Sequence, residues 1–430
     1  LFACALGGFI MTPLNWRLTA HELAYQLDDA EVDLLLAEGA TMEQAKGALE
    51  LASIDPPLRA IEDVSPDADW ESDVAVEDED PLLLVYTSGT TGNPKGAVLT
   101  HANCFWTNLA IDRVMDVTTF DVVLQVLPQF HIGGWNVQPL LAFSKGATVV
   151  LEPTFDPDRA LALIAEKGVT TMMGVPATYL FMANSDQFAS TDLSSLRMAV
   201  VGGAPMPERL IHTWHDRGVA LVQGYGLTEA APNVLGLPPE RAIDKVGFAG
   251  KAYPHVEVAL KALDGATMVE GAGVGELLVR GPSVFAGYWR NPDETARALE
   301  GGWLHTGDVA ERDEEGFYRI KDRVKDMYIS GGENVYPAEV EQVLYAHEAV
   351  AEAAVVGVPD ARWGEVGLAV VVLREGQTLR PEDLIDWCSE RLARFKIPQH
   401  VRFSNELPRS GSNKVLKRDL RAEHDAGVLQ

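Results

Sequence analysis

Apolar and polar positions fall into alternating blocks along the chain, short apolar runs followed by stretches with helical spacing. Thr19-Ala20-His21-Glu22 has the form of a capping box, and Leu23 and Leu27 follow four residues apart, so a helix is predicted to start here. Residues 32–36 read as a strand and 41–51 as a helix. The run Pro81-Leu82-Leu83-Leu84-Val85 predicts a buried strand. Further strands are predicted at 121–127, 148–151, 169–175, 196–201 and 220–223. Helices are predicted from Asp156-Pro157, which sets an N-cap before a first-turn proline, and at 176–184 and 207–217. Strand–helix alternation of this kind implies an α/β fold, a parallel sheet with helices on its faces. From Val246 the texture changes. Residues 256–260 and 276–280 alternate like strands between glycine-rich turns, which predicts a smaller β-rich unit reaching about Arg323. The remainder, with strands at 353–358 and 368–373 and a helix at 381–392, is long enough to bury a core of its own. There is no internal repeat and no low-complexity tract.

One loop follows the 81–85 run directly: Tyr86-Thr87-Ser88-Gly89-Thr90-Thr91-Gly92-Asn93-Pro94-Lys95-Gly96. Glycines let backbone N–H groups converge on an anion, because no Cβ blocks the approach. Hydroxyls add donors, and Lys95 adds a compact positive charge. This chemistry suits a pyrophosphate, and the order of residues is not the Walker form. The loop, Gly202-Gly203-Ala204-Pro205 and Gly224-Tyr225-Gly226 are each expected directly after a strand. In a parallel sheet such positions gather in one crevice. In Gln223-Gly224-Tyr225-Gly226-Leu227-Thr228-Glu229, a tyrosine between glycines can lie against a purine. A threonine and a glutamate beyond it can meet a phosphate oxygen and a hard cation. Taken alone, Tyr225 would be an ordinary core aromatic and Glu229 a helix-start acid.

Composition narrows the field. A chain of 430 residues has room for roughly two or three domains. Hydrophobic residues make up 47%, as in an ordinary globular protein. The formal net charge of −28 argues against binding nucleic acid or an anionic membrane through a broad basic face. Cys4, Cys104 and Cys388 are too scattered for a metal site or a disulfide framework, which favours a reducing, cytoplasmic setting. No apolar stretch is long enough for a membrane-spanning helix. Residues 67–80 hold eight carboxylates without matching bases and read as a solvated linker.

The loop and the motifs after it, in their order, resemble the adenylate-forming enzymes: acyl- and aryl-CoA synthetases, luciferases and peptide-synthetase adenylation domains. The overall texture is most similar to the fatty-acyl-CoA synthetase branch. The resemblance implies a large N-terminal domain at 1–324, with its β-rich subdomain at about 246–323, and a small mobile C-terminal domain at 325–430. It also implies that residues are missing before Leu1. Thr87, Ser88, Gly89, Thr90, Thr91, Gly92 and Lys95 are then the phosphate loop. Gly203, Ala204, Pro205, Gly224, Tyr225 and Gly226 flank adenine. Thr228 and Glu229 handle the α-phosphate and Mg²⁺, with Thr90 beside Glu229 as a metal ligand, and His131 is among the catalytic groups. In Gly302-Trp303-Leu304-His305-Thr306-Gly307-Asp308 the aspartate binds ribose. In Lys321-Asp322-Arg323-Val324-Lys325-Asp326, Arg323 is a second ribose and phosphate contact and Lys325 a hinge. Gly331 and Gly332 line the pantetheine tunnel, and Trp363 touches the CoA nucleotide, although Trp363 as plain core is an equal reading. Lys414, in Ser410-Gly411-Ser412-Asn413-Lys414, is the catalytic lysine. It departs from the family pattern in following Asn413 where glycine is usual.

The implied reaction has two steps. A carboxylate attacks the α-phosphate of MgATP to give acyl-adenylate and pyrophosphate. After the C-terminal domain turns on Lys325, CoA displaces AMP. Phe130-His131-Ile132-Gly133-Gly134-Trp135 offers no acid to pair a substrate amine, so an amino acid is disfavoured. Gly133, Gly134, Gly202 and Gly203 are expected to leave space, with Trp135, Val137, Met172, Met173 and Val175 as apolar walls. A medium- or long-chain fatty acid is the first expectation, and an aryl or short-chain acid the alternative. Trp135 could floor a short pocket or gate a long one. A remnant that only binds nucleotide is the reading from a different class. A homodimer and peripheral membrane contact are both compatible with these expectations.

Overall fold

The computed structural model describes residues 1–64, 74–87, 93–265, 267–409 and 415–427. Its largest sheet has seven strands in the order Lys251–Ala252, Asn233–Gly236, Ala220–Gly226, Met198–Val201, Thr171–Gly174, Val122–Gln125, Thr148–Leu151. From Ala220–Gly226 onward the neighbours run parallel. These strands are near-continuous apolar runs because both of their faces are covered. Alternate residues divide between two cores: Met198, Val200 and Val222 face one, and Ala199, Val201 and Leu221 the other.

The helices start where the sequence sets caps. Thr19 and Glu22 close the capping box at Ala20–Ala30. Asp156 accepts from the Arg159 N–H at 2.7 Å ahead of Pro157–Lys167, which ends at Gly168 with φ 62°. Helix Pro176–Asn184 lies where expected, and Met42–Leu51 and Glu208–His215 differ from expectation only at their ends. A strand was expected at 32–36. It is shorter and shifted, Leu35–Ala37, and pairs in parallel with Leu58–Ala60. Residues 65–73, which include the first half of the acidic linker, lie outside the described residues.

Two local expectations are corrected. The loop after residue 87 follows a strand, as expected, but not a strand of the parallel sheet. Pro81–Thr87 and Lys95–Thr100 are antiparallel partners, closed by the pair Thr87↔Lys95, in a separate three-stranded sheet completed by Gly287–Tyr288. The second strand, Lys-Gly-Ala-Val-Leu-Thr, holds the last two positions of the motif itself, so a motif read as one loop spans both arms of a hairpin. Gly224-Tyr225-Gly226 does not follow its strand but forms its end. It pairs with Asn233–Gly236 through Asn233↔Gly226, Leu235↔Tyr225 and Gly236↔Gly224. A Cβ on Gly226 would stand 1.5 Å from the Pro232 carbonyl oxygen, so only glycine fits this close strand approach.

The β-rich unit is a four-stranded antiparallel sheet, Glu257–Lys261, Gly273–Arg280, Leu304–Arg312 and Tyr318–Arg323. Asn103, buried on helix His101–Met115, donates to Pro282 O and Val284 O at 2.9 Å each and ties the segment after strand Gly273–Arg280 to the hairpin side. Beyond Arg323 a five-stranded sheet surrounds Gly364–Leu373 and has two cores of its own, drawn from Tyr328 onward. Among the described residues, no helix is long and apolar enough to cross a membrane. Cys4, Cys104 and Cys388 are free thiols.

Candidate active site

The centre of the site is the antiparallel pair Asp308↔Arg323. Arg323 Nε lies 3.4 Å from Asp308 Oδ1, and the Tyr225 hydroxyl donates to Asp308 Oδ2 at 2.5 Å. Asp308 is buried, and Thr306 Oγ accepts its backbone N–H at 3.1 Å. Burial, then the Asp308 charge, push the Tyr225 phenol well above its ordinary pKa, so it stays a hydrogen-bond donor. Tyr225 was expected to lie against a purine. Its hydroxyl also fixes the carboxylate expected to bind ribose. Gly202 stands beside this strand end: a Cβ there would meet the Gly224 carbonyl oxygen at 3.4 Å. Gly203 takes φ 81°, which glycine adopts without strain, and carries the chain into Ala204 and Pro205.

Thr228 and Glu229 occupy a short 3₁₀ turn just after that strand. The Tyr288 hydroxyl donates to Glu229 Oε1 at 2.8 Å. Burial raises the Tyr288 phenol, and Glu229 raises it further. The second carboxylate oxygen is the one suited to a cation. Mg²⁺ is commonly held by one or two carboxylates plus substrate phosphates, and one oriented carboxylate beside the Pro81–Thr87 and Lys95–Thr100 hairpin fits that demand. Lys95 sits at the base of the hairpin, 5.3 Å from the Tyr288 ring centroid and ion-paired with Glu294, which also pairs with Arg297. Burial lowers the Lys95 pKa, and Arg297 lowers it further. Ser88, Gly89, Thr90, Thr91, Gly92 and Lys414 lie outside the described residues.

His131 is set apart by its environment. Its Nε2 is buried with no hydrogen-bond partner among the described residues, and burial, then the Arg17 charge, bring its pKa down to about 4. Burial thus keeps the imidazole neutral: its ring nitrogen can accept a hydrogen bond but is a weak base near neutral pH. Two of the expected pocket features are corrected. A Cβ on Gly134 would stand 2.5 Å from the Pro128 carbonyl oxygen, so this glycine serves close packing and does not leave space. Met172 is fully buried in the far core, while Met173, its neighbour on the strand, packs toward the other face. Trp135 donates its indole N–H to Gln129 O at 2.6 Å, which restrains the ring.

Lys325 lies in the turn after Arg323. Burial, then Arg323, lower its pKa. Gly331 (φ 60°) and Gly332 (φ 89°) turn the hairpin between Tyr328–Ser330 and Glu333–Val335. The Gly331 N–H donates to Trp363 O at 2.8 Å, and a Cβ on Gly331 would meet the Trp363 ring at 2.8 Å. Trp363 is half-buried: it packs on the core and also lines a cleft of about 450 Å³ with Arg362, Arg394 and Phe395. Tyr288 and Glu294 were not anticipated. The sequence signal was there in Asn291-Pro292, an N-cap and first-turn proline that start the helix bearing Glu294.

The fold and site define an ATP-dependent enzyme that activates carboxylates. The profile of the AMP-binding enzyme family matches residues 1–289, and that of the AMP-binding enzyme C-terminal domain matches 339–414. The chain belongs to this family, the adenylate-forming superfamily. It is an AMP-forming acid–thiol ligase that uses ATP, Mg²⁺ and CoA. It is 41% identical to a feruloyl-CoA synthase of Amycolatopsis sp, over 98% of this chain and 85% of that protein. It is 42% identical to an indoleacetate–CoA ligase of Aromatoleum aromaticum (98% and 84%). It is 36% identical to the long-chain-fatty-acid–CoA ligase FadD13 of Mycobacterium tuberculosis (99% and 86%). Among solved structures, o-succinylbenzoate CoA synthetase (MenE) from Bacillus subtilis, in complex with ATP and magnesium ion, superposes with a TM-score of 0.87 at 33% identity, covering 97% of this chain and 85% of that one.

Proposed function

We propose that the acid activated here is a compact aromatic carboxylic acid. The observation that carries this reading is Trp135. Its indole N–H is held by Gln129 O, and a ring restrained in this way would floor a short acyl pocket better than it would swing aside to admit a long chain. The names of the relatives at 41–42% identity, which act on ferulate and indoleacetate, support the same choice. A medium- or long-chain fatty acid is the second reading, supported by the 36% identity to FadD13.

Residues 1–324 form the ATP- and acyl-binding part, and 325–430 a lobe that turns on Lys325. Asp308 takes the ribose hydroxyls, with Arg323 balancing the charge that accumulates beside it. Tyr225 holds Asp308 in place and offers its ring to adenine. Glu229, oriented by Tyr288, would hold Mg²⁺, which would supply positive charge against the repulsion between carboxylate and phosphate. Lys95 meets the outer phosphates, which compete with Glu294 for its ammonium. Lys414 bridges the acid's carboxylate and the α-phosphate as they approach. In the second step the hairpin at Gly331-Gly332 lines the thiol's path. The cleft at Trp363 and Phe395, with two arginines, suits the purine and phosphates of CoA.

The test is pyrophosphate release with ATP, Mg²⁺, CoA and a ladder of cinnamic, indolic and fatty acids. The highest kcat/KM falls on an aromatic acid. A maximum on an acid of eight or more carbons in an open chain would move the assignment to the second reading.

A further inference from the structure

Two ties cross from the segment before Lys325 to the segment after it. The first is Asp322, buried on strand Tyr318–Arg323. Its Oδ2 accepts the Ala338 N–H at 2.8 Å, in the first turn of helix Pro337–Tyr345, and lies 3.9 Å from Lys417 Nζ. The second is Gln342 on the same helix. Its Oε1 accepts the Glu208 N–H at 3.2 Å, and its Nε2 donates to Met206 O at 3.0 Å, immediately beyond Gly202-Gly203-Ala204-Pro205. Ala338, Gln342 and Lys417 all follow Lys325, whereas Asp322, Met206 and Glu208 precede it. A large rotation at Lys325 separates both sets of partners.

Lys417 makes the first tie reversible. Its ammonium is 2.9 Å from Glu341 Oε1, which also accepts the Val355 N–H at 2.8 Å. Two carboxylates therefore share one part-buried ammonium in this orientation. Burial works against the lysine's charge, but Glu341 and Asp322 outweigh it and hold its pKa above the ordinary value. Burial raises Glu341, and the Asp322 charge adds to that rise. When Asp322 withdraws, Lys417 and Glu341 remain as a one-to-one pair, so no charge is stranded on the C-terminal lobe, while Asp322 is left to water. Lys417 also follows Lys414 by three residues, so the pair that balances this cluster lies at the foot of the catalytic-lysine segment. Arg421, one helical turn on, is 3.4 Å from Asp326 and anchors the same helix next to the hinge.

We infer that Asp322 and Gln342 are positioning residues that latch the C-terminal lobe in this orientation and thereby set the balance between adenylate formation and thioester formation. The inference rests on the two-step ligase reading above.

The test measures both half-reactions separately in the full chain: ATP–pyrophosphate exchange with the acid, and thioester formation from supplied acyl-adenylate and CoA. Asp322→Ala removes a buried charged acceptor in one orientation only, so the ratio of the two rates shifts by roughly ten- to a hundredfold. Gln342→Ala, on a half-buried surface, shifts it in the same direction by less, and it carries the test if Asp322→Ala fails to fold. Arg380→Ala, an exposed control, leaves the ratio unchanged. Trypsin cleavage in the 321–325 segment is faster in Gln342→Ala, which leaves the cleavage sequence unaltered, a readout that needs no turnover. An unchanged ratio, opposite shifts in the two variants, or equal loss of both half-reactions with unchanged cleavage would overturn the latch. Absence of both half-reactions in the unaltered chain would instead count against the ligase reading, and the cleavage comparison would still decide on the latch.

Discussion

Replacing Tyr288 by phenylalanine removes one hydroxyl and keeps the ring, which packs edge-on against Phe285 at 4.9 Å between centroids. The strand pairing Tyr288↔Ala97 is untouched, so the hairpin keeps its frame. What is lost is the 2.8 Å bond to Glu229 Oε1. A hydrogen bond to a charged group contributes about 1.5–3 kcal/mol. Glu229 is part-exposed, so water recovers some of this and about 1–2 kcal/mol remains, a factor of roughly ten. If Glu229 holds Mg²⁺, the loss falls on the step that needs the metal. Pyrophosphate exchange as a function of Mg²⁺ concentration then shows a weaker Mg²⁺ response and a kcat/KM lower by about tenfold. Thioester formation from supplied acyl-adenylate is unchanged. An identical Mg²⁺ dependence in the variant and the unaltered enzyme would refute the reasoning, because Tyr288 would then be a packing residue and Glu229 would need no orientation.

The pH dependence of stability follows from His131. Its folded-state pKa is about 4, below the unfolded value near 6.5, so between these the unfolded chain binds more protons and stability falls as pH falls. The full shift corresponds to about 3 kcal/mol, and partial solvation reduces this to about 2. Denaturant titrations at pH 4.5, 5.5 and 7 are expected to show this loss in the unaltered chain and not in His131→Gln; equal slopes would count against a neutral buried ring. Gly134→Ala forces a Cβ onto the Pro128 carbonyl oxygen and is expected to destabilise by about 1–3 kcal/mol in thermal unfolding. Gly133→Ala meets only ordinary contacts at 3.6 Å and beyond and is expected to be mild. Lys414→Ala is expected to lower pyrophosphate exchange by on the order of 10²–10³ and to spare the thioester step. Loss of both would remove Lys414 from its assigned role.

Much of this architecture could be read before the structure. Parallel strands buried on both faces leave continuous apolar runs, which is why the strand within residues 196–201 could be read directly. The β-rich texture after Val246 marked a separate sheet. Asp308 and Arg323 were legible as chemistry, but their cross-strand pairing was not, because register depends on hydrogen bonding between segments fifteen residues apart. The same limit explains the hairpin. Lys95–Thr100 is short and begins within a motif read as one loop, and only its pairing with both neighbours reveals it as a central strand. Tyr288–Glu229 and Lys95–Glu294 join residues far apart in sequence, and local periodicity carries no information about such contacts. Gly134 shows the converse: a glycine read as space turns out to be required by a carbonyl 2.5 Å from where its Cβ would lie.

The most direct test of the central claim is a single-turnover experiment with α-labelled ATP, Mg²⁺ and an aromatic acid, first without CoA and then with it. The account predicts that label is retained on the enzyme as acyl-adenylate with release of pyrophosphate, and that adding CoA discharges it as AMP together with the thioester. Release of ADP, or AMP formation that ignores both acid and CoA, would contradict it.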